Sequence, residues 1–489
     1  MSVLAVTFTV LPASAGATVT VTTDPGLQPK YSAPVSDYVS RCVPGTPVRV
    51  SVSASDGERV AVAGDSPRSG SFDVGVGLRP GRAFSIRVTT EAGTTTHHVR
   101  CLPRDFPEWT TDRQATPQAQ WYVTTPVGPH PYGYIAIFDA RGVPVWWRHS
   151  ARYGPWDGKL LPDGNLAWTR SLGDPFGVRP MEAYEERTLD GRLVRLIRAV
   201  GNPIDTHELT PMPNGHFLAI AYRSRRGVDL RDYGGPRDAR VWDGEIQEID
   251  RAGHLVWSWN SKDHIALSET ARRWWDALIA VQPHRSPARR GFDLIHANSV
   301  QPDGDGVILS SRYTDAIYRI DRKTGAIDWK LGGSHRSESL TVLGPDLGQP
   351  PLGGQHDARL LSDGTLTVFD NGTRLDRPPR ALRFSVDPAI HTATLLERIE
   401  TPLVTESPFV GSARKLPGGD WVICWGGSTI VTEQRPSGAP VFTLHFIGSQ
   451  HSYRAVPISP GVLSARALRR GMNRMSARAT GGGLRALGG

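Results

Sequence analysis

The chain has 489 residues and a formal net charge of +8, with 39% hydrophobic and 21% charged residues. This balance excludes a membrane-spanning protein and a globally disordered one, and the length indicates two domains or one large repeat array. Its 52 glycines and 39 prolines together make up about 19% of the residues. A composition so rich in turn residues favours an all-β fold of many short strands.

Residues 3–15 form an uncharged, mostly apolar run that ends in Ala13-Ser14-Ala15. Two interpretations stay open: residues 1–15 are the remnant of a secretory signal peptide, or they are a first β-strand. The run is too short to cross a bilayer, and no stable membrane insertion is predicted. A disulfide between Cys42 and Cys101 would favour an extracytoplasmic location, secreted or periplasmic, over a cytoplasmic one.

Short β-branched runs recur between residues 18 and 105, with Gly, Pro and Asp between them. Their spacing of roughly 8 to 15 residues is typical of a β-sandwich. We therefore predict a small N-terminal β-sandwich over residues 1–105, of the cadherin or immunoglobulin kind. Residues 102–118 carry three prolines and no periodicity, so they are predicted to be a linker.

From residue 120 onward the sequence repeats itself. Five segments end in a turn such as Pro-Asp-Gly and are followed by an apolar strand, and a second hairpin motif alternates with them. The first motif occupies residues 156–164, 207–215, 296–304, 356–364 and 411–419. The second occupies residues 138–147, 188–196, 249–259, 320–329, 385–396 and 433–442. Because Gly and Asn tolerate the positive φ of such turns, two hairpins per unit predict a four-stranded sheet.

The turn glycines are 51, 89, 60 and 55 residues apart, a spacing that resembles propeller blades. We predict a six-bladed β-propeller over residues 119–458, in which the early strands share a blade with residues 452–458. The longest interval holds an insert at residues 260–292. Trp274 and Trp275 in this insert either pack it down or line a cleft for an aromatic ligand.

Residues 461–489 contain six arginines and no acidic residue, and without them the net charge falls to +2. The basic excess therefore belongs to a tail that we predict to be solvated and disordered. No nucleic-acid partner is predicted.

Alignment of the repeats on their turns places His207, His296 and His356 at one position, six residues before the turn. Equivalent positions in propeller blades face the same channel, so three imidazoles are predicted to converge. Asn298 lies two residues beyond His296, and strand alternation predicts that both face the same side.

Arg312 and Arg223 each lie nine residues beyond the middle residue of their turn, at the far end of the following strand. A guanidinium beside neutral imidazoles makes an anion site, because its planar fork binds oxyanions in a bidentate way. A metal site with three histidines is the alternative, but no acidic residue shares the aligned position, and Arg312 would oppose a dication. Asp370-Asn371-Gly372 is either a cation ligand set or a turn. No metal is expected.

These motifs resemble the bacterial arylsulfate sulfotransferase (arylsulfotransferase, ASST) family over about residues 120–457. The matching motifs are Thr206-His207, His296-x-Asn298-Ser299, Ser311-Arg312, Gln355-His356 and Phe369-Asp370-Asn371-Gly372. The resemblance implies a six-bladed propeller preceded by a β-sandwich. It also implies that His356 is the nucleophile that takes the sulfuryl group. The residues implied to bind and polarise the sulfate are His207, His296, Asn298 and Arg312.

The predicted function is transfer of a sulfuryl group from an aryl sulfate to a phenol, by a ping-pong route through sulfohistidine. Arg223, Trp274 and Trp275 are predicted to bind substrate, and the choice of general acid and base among the histidines stays open. No Gly-x-x-x-x-Gly-Lys-Ser/Thr loop occurs, so neither a nucleotide sulfate nor any other cofactor is expected. The alternatives are a ligand-binding propeller without catalysis and a metal-dependent propeller hydrolase.

Overall fold

The fold is that of a computed structural model, which describes residues 19–128, 133–150, 152–171, 181–285, 290–345 and 350–481, with side chains as far as residue 478. The fold is all-β, with 49% of the described residues in strands and 9% in helices. The segment predicted to be a signal-peptide remnant, residues 1–15, lies outside the described residues. The chain divides into two compact units, of which unit 1 comprises residues 1–105 with 476–489 and unit 2 comprises residues 106–475.

Unit 1 contains two sheets around one hydrophobic core. Its strands are β1 (Thr20–Asp24), β2 (Leu27–Gln28), β3 (Asp37–Ser40), β4 (Val48–Ala54), β5 (Arg59–Val62), β6 (Gly70–Val76), β7 (Ala83–Thr90) and β8 (Gly93–Cys101). The sheet orders are β1-β4-β6 and β2-β3-β8-β7-β5. Val50 and Val52 of the first sheet and Ile86 and Val99 of the second belong to the same buried cluster. This follows from the alternation of apolar and polar residues, because successive side chains of a strand face opposite sides.

Cys42 and Cys101 form a disulfide at the ends of β3 and β8, with both side chains fully buried. The bond closes a loop with a sequence separation of 59 residues.

We expect that replacing both cysteines by Ala lowers the stability of unit 1 by about 4 kcal/mol, because the unfolded segment regains loop entropy. Hydrogen exchange checks this. The amides of β3 and β8 should exchange faster in the double variant, while an equal acceleration throughout unit 2 would contradict a local effect.

Unit 2 consists of sheets that follow one another along the chain. Its first strands are β9 (Trp109–Arg113), β10 (Trp121–Val127), β11 (Gly133–Asp139), β12 (Pro144–Ser150), β13 (Lys159–Leu160), β14 (Leu166–Thr169), β15 (Tyr184–Arg187), β16 (Leu193–Ile197), β17 (Ile204–Pro211), β18 (Phe217–Val228), β19 (Ala239–Ile249), β20 (Leu255–Asn260) and β21 (Phe292–Asp293). The others are β22 (Ala297–Asp303), β23 (Gly306–Ser311), β24 (Ala316–Asp321), β25 (Ile327–Gly332), β26 (Thr341–Leu343), β27 (His356–Leu360), β28 (Thr365–Asp370), β29 (Arg380–Asp387), β30 (Thr392–Ile399), β31 (Ser412–Lys415), β32 (Trp421–Cys424), β33 (Ile430–Gln434), β34 (Pro440–Phe446) and β35 (His451–Ile458).

The described residues of unit 2 form six sheets, each built on four antiparallel strands. Their orders are β12-β11-β10-β35, β13-β14-β15-β16, β17-β18-β19-β20, β22-β23-β24-β25, β26-β30-β29-β28-β27 and β31-β32-β33-β34-β9. β26 and β21 are short parallel additions, next to β30 and β19 respectively. The predicted union of the early strands with residues 452–458 is observed, since Trp121 of β10 lies opposite Ile458 of β35.

The repeated turns connect the first two strands of five sheets. All five turn glycines have positive φ, from 55° to 99°, a region that suits glycine because it has no Cβ. The residue before the glycine supports the turn as well, since Asp163 Oδ1 accepts a hydrogen bond from the Asn165 amide at 3.0 Å and Asp363 Oδ1 accepts one from Thr365 at 3.0 Å.

The first strands of successive sheets lie side by side. β17 contacts β22, β22 contacts β27, β27 contacts β31, and β31 contacts β35. Side chains join these neighbours, as Thr210 donates to the Val300 carbonyl at 2.6 Å and Gln301 donates to the Leu360 carbonyl at 2.9 Å. The residues that begin these strands are thereby brought together.

The prediction of a linker at residues 102–118 is wrong in its middle. Trp109–Arg113 form β9, which pairs with β34 as a fifth strand of the last sheet. Trp109 is buried and donates its indole N–H to the Gly142 carbonyl at 2.8 Å. The sequence did not reveal this strand for two reasons. Prolines on both sides indicate a loop, and five residues are too few to show an alternating pattern.

The tail predicted to be disordered contains a helix, α2 (Ala465–Gly481). Ser464 caps it by accepting a hydrogen bond from the Ala467 amide at 3.2 Å. Leu468 and Met472, one turn apart, are buried in unit 2, where Met472 Sδ accepts a hydrogen bond from the Trp147 amide at 3.4 Å. The prediction of disorder rested on the net charge of the tail and did not consider this apolar pair. Residues 482–489 lie outside the described part of the chain.

The described residues of the insert at 260–292 form short helical turns, of which α1 (Trp275–Ala280) is the longest. In the part of the chain that the structure describes, the single-turn 3₁₀ helices are Arg231–Tyr233, Ser261–Asp263, Leu267–Glu269, Arg272–Trp274, Gln282–His284 and Pro388–Ile390. Among the described residues, no helix is both long and apolar enough to cross a membrane.

Candidate active site

Three histidine rings meet where the first strands of three sheets begin. His207 lies in β17, His296 immediately precedes β22, and His356 is the first residue of β27. The ring centroids of His207 and His296 are 4.8 Å apart, and those of His207 and His356 are 6.0 Å apart. All three side chains are buried. The structure thus brings together the residues that the repeat alignment placed in register.

Each ring is held through its Nδ1 atom. The His207 Nδ1 lies 2.7 Å from Asp205 Oδ1, and the His296 Nδ1 lies 2.5 Å from Asp293 Oδ2. The His356 Nδ1 lies 2.7 Å from the Gly411 carbonyl oxygen. Because a carboxylate or a carbonyl oxygen can only accept, Nδ1 carries the proton in each ring. In a neutral ring the lone pair is then on Nε2.

Burial keeps two of the rings neutral. It lowers the pKa of His356 well below its usual value of 6.5, and the positive charge of Arg454 lowers that pKa further. Burial also lowers the pKa of His296, against the opposing effect of the Asp293 carboxylate. At neutral pH, His356 therefore presents an unprotonated Nε2, which is the form that can act as a nucleophile.

Tyr453 joins two of the histidines from the closing strand β35. Its hydroxyl lies 2.9 Å from the His207 carbonyl oxygen, to which it donates, and 3.3 Å from the His356 Nε2. Since its single proton goes to the carbonyl, the lone pair of Nε2 stays free. Trp156 stacks on the Tyr453 ring with centroids 5.2 Å apart. Sequence reasoning used this strand only to close the ring of sheets and missed Tyr453.

Arg312 is buried without a carboxylate. It is 7% exposed and donates to the carbonyl oxygens of Gly354 at 3.0 Å and Pro408 at 2.5 Å. Its guanidinium lies 4.8 Å from the ring centroid of Trp274. Among the described residues, no carboxylate forms an ion pair with it. The Asp315 carboxylate acts on Arg312 through space but is paired with Arg273, so an anionic ligand would stabilise the buried guanidinium.

The predicted orientation of Asn298 needs correction. His296 has a φ of 48°, and the pairing of β22 with β23 shifts register between Ala297 and Ser299. Simple alternation therefore does not relate the two side chains. The Asn298 side chain instead donates to the Gln355 carbonyl at 2.8 Å and accepts from the Asp357 amide at 3.3 Å, so it ties β22 to the backbone around His356.

The three residues predicted to bind substrate lie in different settings. The Arg223 side chain is 58% exposed and pairs with Glu245 at 3.5 Å. Trp275 is fully buried and stacks on Tyr233, so its ring packs the insert and does not line a cleft. Trp274 contacts Arg312 and also Tyr313, whose ring centroid is 4.8 Å from that of His296. Of the three, only Trp274 is linked through described contacts to the histidines.

An ionic cluster lies next to the histidines. Arg454 of β35, 2% exposed, reaches Asp157 at 2.6 Å, Glu208 at 3.0 Å and Asp357 at 3.2 Å. It also donates to the Asn298 carbonyl at 2.7 Å. The three acids directly follow Trp156, His207 and His356, the residues that begin three of the five repeated segments. Further cations pair with them, namely Lys159, Arg359 and Arg414.

The cations of the cluster keep Glu208 ionised, whereas burial alone would favour its protonated form. Burial would raise the pKa of Glu208, but Arg359, Arg454 and Lys159 hold it well below its usual value. Arg454 thus bonds to residues that begin several sheets, and it fixes the strands that present the histidines.

Asp370 forms ion pairs with two arginines, so its carboxylate is not available as a ligand for a cation. Its carboxylate pairs with Arg380 at 2.9 Å and Arg377 at 3.0 Å and accepts from the Gly353 amide at 2.7 Å. In the part of the chain that the structure describes, no three His, Cys, Asp or Glu side chains are grouped as metal ligands.

Comparison with known families gives a direct match. Residues 119–454, which contain all the residues that converge here, match the family model described as Arylsulfotransferase (ASST). This chain belongs to the arylsulfotransferase family. Membership in the ASST family implies a sulfotransferase with small aryl donors and acceptors. No curated protein sequence matches the chain significantly.

Solved structures resemble the chain only distantly. A protein of unknown function from Bacteroides caccae is 12% identical, with 70% of this chain and 99% of that chain covered and a TM-score of 0.42. A putative 6-phosphogluconolactonase from Bacteroides fragilis is 11% identical, with 83% and 99% covered and a TM-score of 0.36. The Dos1 propeller is 11% identical, with 70% and 75% covered and a TM-score of 0.27. These likenesses do not bear on the activity of this ASST family member.

Proposed function

We propose that this protein moves a sulfuryl group from an aryl sulfate to a phenol in two steps, through a sulfohistidine at His356. The observation that carries the proposal is the state of His356. Its Nδ1 is fixed on the Gly411 carbonyl, and burial keeps the ring neutral, so Nε2 has a free lone pair. No nucleotide sulfate enters the route.

In the first step the His356 Nε2 bonds to sulfur and the bond from sulfur to the aryl oxygen breaks. The aryl group leaves as a phenolate, and the imidazole becomes cationic. The Gly411 carbonyl, already bonded to the Nδ1 proton, stabilises that positive charge. In the second step an acceptor phenol loses its proton to the Nε2 of His207 or His296, its oxygen bonds to sulfur, and the His356 Nε2 is released. By analogy with phosphoryl transfer, we expect a loose transition state in which positioning and charge matter most.

Arg312 would hold the sulfonate oxygens, and a histidine of the pair His207 and His296 would join it when its Nε2 is protonated, because an unprotonated Nε2 cannot donate. Arg312 supports this role best, because it is a buried guanidinium that forms no ion pair with any residue that the structure describes. Asn298 would hold the backbone on either side of His356. His207 and His296 are each backed by an aspartate, an arrangement that lets Nε2 take the proton of the acceptor phenol and then give that proton to the aryloxide released in the next turnover. Tyr453 lies close enough to His356 to take part in that transfer.

The architecture around the site is part of the proposal. We interpret the six sheets of unit 2 as the blades of a six-bladed propeller with the histidines in its channel. The two sheets of unit 1 are interpreted as a β-sandwich. The disulfide between Cys42 and Cys101 supports an extracytoplasmic location, where such bonds persist.

The direct test is turnover of 4-nitrophenyl sulfate by the whole chain, with and without phenol. The proposal predicts steady release of nitrophenolate only when phenol is present, together with formation of phenyl sulfate. Release at the same rate without phenol would indicate a hydrolase. Binding without any release, across several donors and acceptors, would indicate a ligand-binding protein.

The pH dependence of the first step follows from the lowered pKa of His356. The neutral ring is the reactive form, and its pKa lies below 6.5, so single-turnover transfer should persist as the pH falls through 6.5 and fail only at lower pH. Quenched-flow measurements between about pH 5 and 8 check this. Loss of half the rate at pH 6.5 or above would contradict it.

A further inference from the structure

We propose that a second anion subsite lies around Trp274, and that the chain favours aryl sulfates that carry another anionic group on the ring. This inference rests on the proposed function and narrows its substrate class. It goes beyond the residues assigned to the transferred sulfate, because it assigns a role to the insert and to Arg374.

Three guanidinium groups surround the Trp274 ring. Those of Arg312, Arg273 and Arg374 lie 4.8, 5.0 and 5.6 Å from its centroid. Arg273 and Trp274 come from the insert, whereas Arg374 comes from the loop between β28 and β29. An aromatic face attracts cations, but three of them at one ring also repel one another.

The carboxylates nearby balance only part of this charge. Arg273 pairs with Asp315. Arg312 donates to neutral oxygens, and Arg374 donates to the Arg273 carbonyl at 2.7 Å. Within the described ranges, neither Arg312 nor Arg374 forms an ion pair. Two guanidinium groups without an ion-pair partner can each bind an anionic group, and the transferred sulfate accounts for only one of them.

Arg374 is held in place by its backbone. It has a φ of 59°, a left-handed conformation that is uncommon for a residue with a side chain. The hydrogen bonds from the Thr373 amide to Gly353 at 3.1 Å and from the Leu375 amide to Gly372 at 2.9 Å fix the loop on both sides. The loop is thus fixed, and the hydrogen bond from Arg374 Nη1 to the Arg273 carbonyl at 2.7 Å holds the guanidinium of this exposed residue against the insert before any ligand arrives, which reduces the entropy cost of binding.

Aromatic groups connect this subsite to the histidines. Tyr313 lies between Trp274 and His296, with ring centroids 5.1 and 4.8 Å away. Phe409, which follows the Pro408 whose carbonyl binds Arg312, is 41% exposed. An aromatic substrate with its sulfate at the histidines would find apolar contact and a second cation nearby. The class of ligand that fits is an aryl sulfate with a ring carboxylate or a second sulfate.

The test compares two donors, 3-carboxy-4-nitrophenyl sulfate and its methyl ester, which differ in one negative charge. We expect the natural chain to favour the carboxylate by about tenfold in kcat/KM, as for a charge-assisted hydrogen bond. The Arg374→Gln variant should lose most of this ratio, and added salt should reduce it. Arg59→Gln, which removes an equal charge from an exposed position in unit 1, should leave both donors unaffected.

The outcomes separate the two proposals. If neither donor is turned over with any phenol, the proposed function fails. If both are turned over but the natural chain does not favour the carboxylate, or Arg374→Gln keeps the full ratio, the second subsite is wrong. Because the readout is a ratio measured within one variant, partial loss of folded protein does not change it.

Discussion

Replacing His356 by Ala is expected to lower the rate of sulfuryl transfer by roughly 10⁴-fold or more. The variant loses the atom that bonds to sulfur, and neither neighbouring histidine replaces it, because His207 and His296 belong to other sheets and are each held in place by an aspartate. Single-turnover release of nitrophenolate from 4-nitrophenyl sulfate measures the loss. Free imidazole added to the variant should restore part of the rate, since the deleted side chain leaves a space for it.

A matched control removes a histidine outside the site. His254 is 78% exposed on a surface turn, and His254→Ala should retain the full rate. Tryptophan fluorescence shows whether His356→Ala is folded, because all 14 tryptophans lie in unit 2. A folded His356→Ala protein with more than about a tenth of the natural rate would contradict the nucleophile assignment.

Replacing Arg454 by Met is expected to lower the free energy of unfolding of unit 2 by about 3–5 kcal/mol. The substitution removes the cation shared by Asp157, Glu208 and Asp357 and leaves buried carboxylates with fewer partners. It also removes the hydrogen bond to the Asn298 carbonyl. Urea unfolding followed by tryptophan fluorescence measures the effect as a lower midpoint.

The comparison for Arg454→Met is a surface arginine with one carboxylate partner. The Arg231 side chain is 64% exposed and pairs with Asp229, so Arg231→Met should not shift the midpoint measurably. Equal midpoints for Arg454→Met and the natural chain would mean that the buried cluster does not hold the strands together.

Local signals in the sequence were enough to predict the repeated hairpins. Each turn glycine adopts a backbone conformation that few other residues tolerate, so its position predicts the turn directly. The pairing of residues 452–458 with the early strands followed from counting hairpins. β9 and α2 were missed because each depends on tertiary burial, of Trp109 in one case and of Leu468 and Met472 in the other, which neither length nor charge reveals.

The candidate site was predictable only in part. The repeat alignment selected the three histidines, since a shared position in the repeat becomes a shared position in space. It did not reveal Asp205 and Asp293, which lie two and three residues before their histidines and bind them only because of the local backbone path. The role of Arg454 could not be predicted either, because its acidic partners are far apart in the chain.

The most direct test of the central claim is to mix the protein with 4-nitrophenyl sulfate without any acceptor, quench the mixture, and map the modified peptides by mass spectrometry. The account predicts one sulfuryl group on His356, formed together with a burst of nitrophenolate and lost when phenol is added. Phenol-dependent turnover without any adduct on His356, or with an adduct on another residue, would contradict it.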